Sequence, residues 1–268
     1  MKKSEFYFGS SDGRTQIRTV EWAADEPCAV LLLVHGIAEH IDRYDAFASF
    51  LADNGITVVG NDILGHGKSI AEKDDLGFFA ENDGWFTCVE DINLLRKQTA
   101  EKYATLPHFI LGHSMGSFVA RAYLSDHAEE LAGVILSGTA GPGAPFGLGR
   151  FVSEAVTLFR GERHRSKLIT ALAFGSYNKR VADKRTEFDW LSANNDNVDK
   201  YIDDPLCGRL FTVNGFKTLF ELIARLLDKK NLEKVPKELP ILFVAGAEDP
   251  VGNYGKGVEQ ARDSLAAV

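Results

Sequence analysis

The stretch that most constrains this chain is residues 109–116, FILGHSMG. Three apolar residues, Phe109, Ile110 and Leu111, lead into Gly112, His113, Ser114, Met115 and Gly116. Phe118, Val119, Ala122 and Tyr123 follow at the spacing of one helix face. In a chain with 25 glycines the bare Gly-x-Ser-x-Gly pattern carries little; strand, sharp turn and helix around it give it meaning. Such a turn forces the serine into a strained backbone conformation and packs the chain tightly on either side, so its neighbours must be small. Gly112 and Gly116 meet that need. The turn lifts the Ser114 hydroxyl above the carboxyl end of a sheet, and the backbone N–H of Met115, opening the helix, can face a developing oxyanion.

The rest of the chain supplies the sheet. Residues 29–34, AVLLLV, form a solid apolar run, the pattern of a parallel strand buried on both faces. A helix over 44–51 is stopped by Asn54-Gly55, and a strand over 56–60 follows. A helix over 85–103, the 109–111 strand, a helix over 118–125 and a strand over 131–137 continue the alternation. Two further strands, 5–9 and 16–22, are joined by Ser11-Asp12-Gly13 and read as an antiparallel edge hairpin. Strand and helix in alternation imply an α/β fold with a mostly parallel central sheet and ligands at the carboxyl ends of its strands.

Gly138 breaks the rhythm. Residues 139–234 hold no βαβ repeat; they open on Gly141-Pro142-Gly143-Ala144-Pro145, and helical spacing recurs near 151–159, 168–174 and 216–227. Ninety-odd residues are too many for a plain connection, so this region reads as an inserted helical cap, with helices packed directly on the sheet as the alternative. The strand 241–245 and a helix over 256–265 return to the core. The expected division is therefore a core of 1–138 and 235–268, and a cap of 139–234.

Composition bounds the function classes. A net charge of -8 without a basic stripe argues against nucleic acid as a partner. Cys28, Cys88 and Cys207 form neither a CxxC nor a disulfide framework. The N-terminus, MKKSEFYFGSSDG, lacks the apolar core of a signal peptide, and no run is long enough to span a bilayer, so a cytoplasmic protein is expected.

Four segments, in order over nearly the whole chain, resemble the α/β-hydrolase superfamily. Within it they are similar to the monoacylglycerol lipase and lysophospholipase group, also labelled serine aminopeptidase S33-like. They are His35-Gly36-Ile37-Ala38-Glu39-His40, Asp62-Ile63-Leu64-Gly65-His66-Gly67-Lys68-Ser69, Gly112 to Gly116, and Gly246 to Val251. Asp204-Pro205-Leu206-Cys207 also resembles a segment of bacterial members. The resemblance implies cleavage of carboxylic acyl esters of monoacylglycerol or lysophospholipid type, without cofactor or metal. It makes Ser114 the nucleophile, Asp249 the acidic member of a triad, and the N–H groups of Ile37 and Met115 the oxyanion hole. His35, His40 and His66 read as loop-ordering groups, and Glu39 as either a loop anchor or a solvated acid. Phe146, Leu148, Phe151, Phe159 and Phe216 are candidate linings of an acyl channel, and the cap is a candidate for peripheral lipid contact.

One part of the pattern departs from the family. The expected order is Ser, acid, His, yet His35, His40, His66, His108, His113, His127 and His164 all precede Asp249. The expectation is therefore a domain truncated before its catalytic histidine, with the C-terminal strand and helix missing. Activity would be impaired and strand 241–245 left as an edge open to self-association. A hydrolase of other small esters or peptides, and a non-catalytic module holding an apolar ligand, stay open as alternatives.

Overall fold

The structure is a computed structural model. It describes residues 1–141, 146–209 and 211–268, with the side chains of 146–148 outside that description. Seven strands form one sheet: β1 (Lys2–Gly9), β2 (Gln16–Ala23), β3 (Ala29–Val34), β4 (Ile56–Asn61), β5 (His108–His113), β6 (Gly133–Ser137) and β7 (Ile241–Val244), in the spatial order β1-β2-β4-β3-β5-β6-β7. The β1–β2 and β2–β4 pairs are antiparallel. From β4 across to β7 every pair is parallel.

The order follows from burial. β3 is buried at all six positions, so it takes a place with a partner on each side and helices on both faces. The helices are α1 (Asp45–Asp53), α2 (Gly84–Lys102), α3 (Met115–His127), α4 (Phe146–Arg160), α5 (Lys167–Phe174), α6 (Asn195–Asp203), α7 (Val213–Leu226), α8 (Lys229–Leu232) and α9 (Lys256–Ala266). One core cluster joins β3, β5 and β6 to α2, α3 and α7. A smaller one, with Trp22, Leu31, Leu33, Ile41 and Ala48, lies under α1 on the opposite face.

The long region after β6 is helical, as its sequence predicts. α7 anchors it to the core by packing on α2, α3 and α4. Its buried face carries Phe216, Leu219, Phe220, Leu222 and Ile223, and Thr212 caps it by accepting the N–H of Gly215. The helix α6 has no counterpart in the sequence reading. It is polar, NDNVDKYID; only Val198 and Tyr201 are buried, and the Asn194 side chain, accepting the N–H of Asp196, starts it.

The C-terminal end requires a correction. The fold was expected to lack its C-terminal strand and helix, but the segments read as strand 241–245 and helix 256–265 form β7 and α9 and supply both. β7 pairs with β6 through Val134↔Ile241, Ile135↔Leu242, Leu136↔Phe243 and Ser137↔Val244. α9 follows and buries Gly257 and Ala261. β7 is the outer strand of the sheet, with Leu242 and Val244 exposed.

Candidate active site

Ser114 sits between the end of β5 and the start of α3, at φ 50° and ψ -120°. For a residue with a Cβ this conformation costs of order 1–3 kcal/mol and persists only when its surroundings impose it. The surroundings are visible at the two glycines. A Cβ on Gly112 would stand 2.3 Å from the carbonyl oxygen of Gly116, and one on Gly116 would stand 2.2 Å from that of Val34. The first turn of α3 is thus pressed against the ends of β3 and β5. Ser114 is held further by its own N–H, which donates to the carbonyl of Ser137 at 2.8 Å.

The loop after β3 carries Ile37 and reaches the same turn. A Cβ placed on Gly36 would lie 3.3 Å from Cβ of Ser114, 3.2 Å from Nδ1 of His113 and 2.8 Å from Oε1 of Glu39. Ile37 and Met115, the two candidate oxyanion donors, therefore belong to backbone segments in contact beside Ser114. Glu39 is a buried anchor, not a solvated acid. Its carboxylate accepts the N–H of Gly36 at 2.6 Å and the hydroxyl of Tyr44 at 2.7 Å. Arg43 pairs with it at 3.1 Å. Burial by itself raises a carboxyl pKa, but the hydrogen bond and charge of His113, with the charge of Arg43, outweigh it and hold Glu39 well below the usual carboxylate range.

Asp249 lies on the same side of the sheet. It follows β7, and its Oδ1 accepts the N–H of Val251 at 2.9 Å. Oδ2 faces Gly138, the residue after the Ser137 that binds Ser114: a Cβ on Gly138 would be 3.3 Å from it. Burial raises the pKa of Asp249, against the opposing pull of the Val251 N–H and of His113. His113 approaches Gly138 as well, with Nε2 3.7 Å from the same point. Tyr177, from the cap, also stands near Asp249; its phenol is pushed up to about 12 by burial and by that carboxylate. The sequence offered no signal for Tyr177, Tyr44 or Arg43, apart from the i,i+4 spacing of Glu39 and Arg43.

The other histidines separate into roles. His35 is fully buried; its Nδ1–H donates to the carbonyl of Gly36 and its Nε2 accepts the N–H of Ile63 at 2.9 Å. Burial lowers its pKa to about 4, so it stays neutral and orders two loops. His66 is lowered to about 3 by burial and by His35. His40 meets Asp204 of the cap at 2.7 Å. The donor atoms of His40, Asp204 and Cys207 lie within 4.8 Å of one another. The guanidinium of Arg43 stands 3.9 Å from the Cys207 sulfur, and burial pushes that thiol up to about 12. A neighbouring fixed cation and a protonated thiol make this cluster a tie between cap and core more than a ready place for a metal ion.

Among the described side chains, the candidate acyl-channel residues do not converge. Phe216 is fully buried and packs against Phe174, Phe211 and Phe220. Phe151 and Phe159, on α4, face outward at 68% and 85% exposure. Phe146 and Leu148 have side chains outside the described residues.

The family model described as "Serine aminopeptidase, S33" matches residues 25–267. A solved carboxyl esterase from Bacillus coagulans superposes with a TM-score of 0.92 at 28% identity, over 100% of this chain and 87% of that one. A monoacylglycerol lipase of Mycolicibacterium smegmatis is 34% identical over 139 residues, 52% of this chain and 47% of that protein. The human monoglyceride lipase is 27% identical over 226 residues, 83% of this chain and 66% of that protein. The chain thus spans about half to two thirds of the length of these two lipases. The matches correct two expectations. A truncated domain was expected, yet the family match runs to within a residue of the last one. The expected loss of activity, inferred from the lack of a histidine after Asp249, is not supported by these matches either. Where the sequence stops carries no argument about the reaction. With its strained Ser114 turn, its sheet order and a family match spanning residues 25–267, the chain belongs to the Hydrolase_4 family, the serine aminopeptidase S33 group of α/β-hydrolases.

Proposed function

We propose that the chain is a serine hydrolase of carboxylic acyl esters, of the monoacylglycerol or lysophospholipid kind. The observation that carries this reading is Ser114, held at φ 50° and ψ -120° between two glycines whose backbone is packed too tightly to admit a side chain. A structural serine gains nothing from such strain, whereas a nucleophile gains a fixed line of attack. In this reading the Ser114 oxygen attacks the ester carbonyl as its proton passes to water at the site. The N–H groups of Ile37 and Met115 take the developing oxyanion, and Asp249, its carboxylate beside Gly138, is the acidic member of the site. The alcohol leaves, and water releases the acid from Ser114 in a second step.

The named activities of the similar proteins, a carboxyl esterase and two monoacylglycerol lipases, favour an acyl ester over a peptide. The finer parts of the proposal are a core of 1–138 and 235–268 under a cap of 139–234, and a cytoplasmic setting. Among the described residues no helix is long and apolar enough to cross a membrane. The outward Phe151, Leu158 and Phe159 of α4 support brief contact of the cap with a lipid surface, and the exposed edge of β7 supports self-association.

The test is hydrolysis of p-nitrophenyl butyrate, monooleoylglycerol and an aminoacyl p-nitroanilide by the wild-type chain and by Ser114→Ala. Ester turnover that falls by at least about 10³ in Ser114→Ala supports the proposal. Turnover of the anilide alone favours the peptidase reading. Binding of the lipid without turnover of any substrate leaves a ligand-holding module.

A further inference from the structure

Glu39 occupies an unusual place for a charged group. It is buried at the junction of three segments: the loop that carries Ile37, the start of α1, and the end of β5 next to Ser114. Each segment sends it a donor. Gly36 gives a backbone N–H at 2.6 Å, Tyr44 a hydroxyl at 2.7 Å and Arg43 a guanidinium nitrogen at 3.1 Å; Nδ1 of His113 lies 3.3 Å away. Tyr44 has one proton and gives it to the carboxylate, so the 2.8 Å contact between its oxygen and His113 Nδ1 needs the proton on the imidazole. Burial lowers a histidine's affinity for protons, but the Glu39 hydrogen bond and charge reverse this and raise His113 above the ordinary value. A cavity of about 200 Å³ is lined by Glu39, Arg43, Tyr44 and His113.

The loop that Glu39 holds does not hold itself. Ala38 has φ 53°, a left-handed conformation without a glycine. Its carbonyl is gripped from the cap by the Tyr201 hydroxyl at 3.1 Å and the Gly208 N–H at 3.0 Å. The segment is strung between that grip and the Glu39 carboxylate, with Ile37 in between. On the other side, His113 is the residue before Ser114 and two before Met115.

We infer that Glu39 is a positioning residue, which fixes the Ile37 N–H relative to the Met115 N–H by binding Gly36 on one side and the Tyr44–His113 pair on the other. An oxyanion hole works only if its two donors keep their mutual distance while charge develops. Beyond the β3–β5 ladder, which ends at Val34 and Gly112, no backbone hydrogen bond among the described residues joins the two segments, and one carboxylate with several donors does. The inference rests on the hydrolase reading of Ser114.

The experiment compares wild type, Glu39→Gln and Tyr44→Phe by steady-state kinetics on p-nitrophenyl butyrate and by amide NMR of the whole chain. Glutamine keeps the volume but loses the charge and one acceptor position. In folded Glu39→Gln, kcat is expected to fall roughly 10- to 100-fold with KM within about twofold, since the loss is confined to the transition state. The amide signals of Ile37 and Met115 are expected to shift together, and His113 to titrate at lower pH. Tyr44→Phe, which cuts one of the two links to His113, is expected to show the same kcat-against-KM split to a smaller degree; it decides the matter where Glu39→Gln does not fold. Unchanged kcat, a change confined to KM, or a shift at only one of the two amides overturns the inference. Hydrolysis indifferent to Ser114→Ala would instead overturn the hydrolase reading, and the paired amide shifts would then still judge Glu39.

Discussion

Gly112 and Gly116 close on each other across Ser114: a Cβ on the first would stand 2.3 Å from the carbonyl oxygen of the second. The obstructing atom is backbone, which cannot swing aside as a side chain would. Gly112→Ala is therefore expected to destabilise the fold by more than the ~1–3 kcal/mol usual for overpacking. Gly116→Ala is expected to do the same, because its Cβ would meet the carbonyl oxygens of Val34 and His35 at 2.2 and 2.4 Å. Urea midpoints check both. Variants as stable as wild type would mean that the turn is looser than these distances require.

Strain at Ser114 makes a second prediction. Ser114→Ala removes the hydroxyl but keeps the Cβ that φ 50° and ψ -120° disfavour, whereas Ser114→Gly removes both. Glycine adopts this conformation freely, at the cost of a more flexible unfolded chain. The net expectation is that Ser114→Gly is more stable than Ser114→Ala by about 1 kcal/mol. Both should lack hydrolytic activity. Equal melting temperatures for the two would place the strain elsewhere.

How far the sequence reveals this fold depends on what each segment buries. β3 is legible as a buried run because all its side chains are apolar, and the Ser114 turn because small residues bracket it between a strand and a helix. The polar α6 is not legible: its helix is fixed by the Asn194 cap and two buried residues, against a background of aspartate and asparagine. Phe216 illustrates the limit for the site. Its helical spacing fits a channel lining and a core position equally well, and burial among Phe174, Phe211 and Phe220 decides for the core. Glu39 is similar, since either a solvated or an anchoring carboxylate fits the same hexapeptide, and only the fold brings Tyr44 and His113 to it. The inference of a missing C-terminus erred because it rested on the order of histidines and aspartate alone; β7 and α9 are in place.

A third prediction concerns Asp91, which pins the β1–β2 turn to α2. Its carboxylate accepts the hydroxyl of Ser10 at 2.8 Å, and the N–H and hydroxyl of Ser11 at 2.7 and 2.9 Å. Burial dominates these bonds and raises its pKa from 3.8 to about 6. An acid raised on folding binds its proton more tightly in the native state. Its favourable contribution is full below the unfolded value near 4 and is lost as pH rises through about 6. Two units correspond to on the order of 3 kcal/mol. Asp91→Asn lacks this dependence. Relative to wild type it should therefore be more stable at pH 8 than at pH 4, by roughly 2–3 kcal/mol between the two. Parallel denaturation curves at both pH values would show that Asp91 titrates normally.

The last prediction gives a physical account of the Asp62 to Ser69 loop. Asp62 is completely buried, and its carboxylate organises two segments: Oδ1 accepts the N–H of Ile41 and Oδ2 that of Lys68, each at 2.9 Å. Gly67, at φ 51°, has to be glycine, because a Cβ there would stand 2.3 Å from Asp62 Oδ2. The compensating charge is Arg18 of β2, itself buried, 3.4 Å from Asp62, 2.9 Å from Asp42 and 2.7 Å from Glu5. Burial opposes a charged guanidinium, yet these three acids outweigh it and hold Arg18 firmly protonated. Arg18→Met preserves much of the volume and leaves Asp62 as an uncompensated buried anion. Breaking one side of such a buried pair costs about 3–5 kcal/mol. Arg18→Lys should recover only part of it, since one ammonium cannot reach three carboxylates as the planar fork does. Asp62→Asn in the Arg18→Met background removes the stranded charge, so the double variant should be more stable than Arg18→Met alone. A double-mutant cycle by chemical denaturation measures this directly; additive losses would show that Arg18 and Asp62 contribute independently and that water or the backbone N–H groups alone hold the loop.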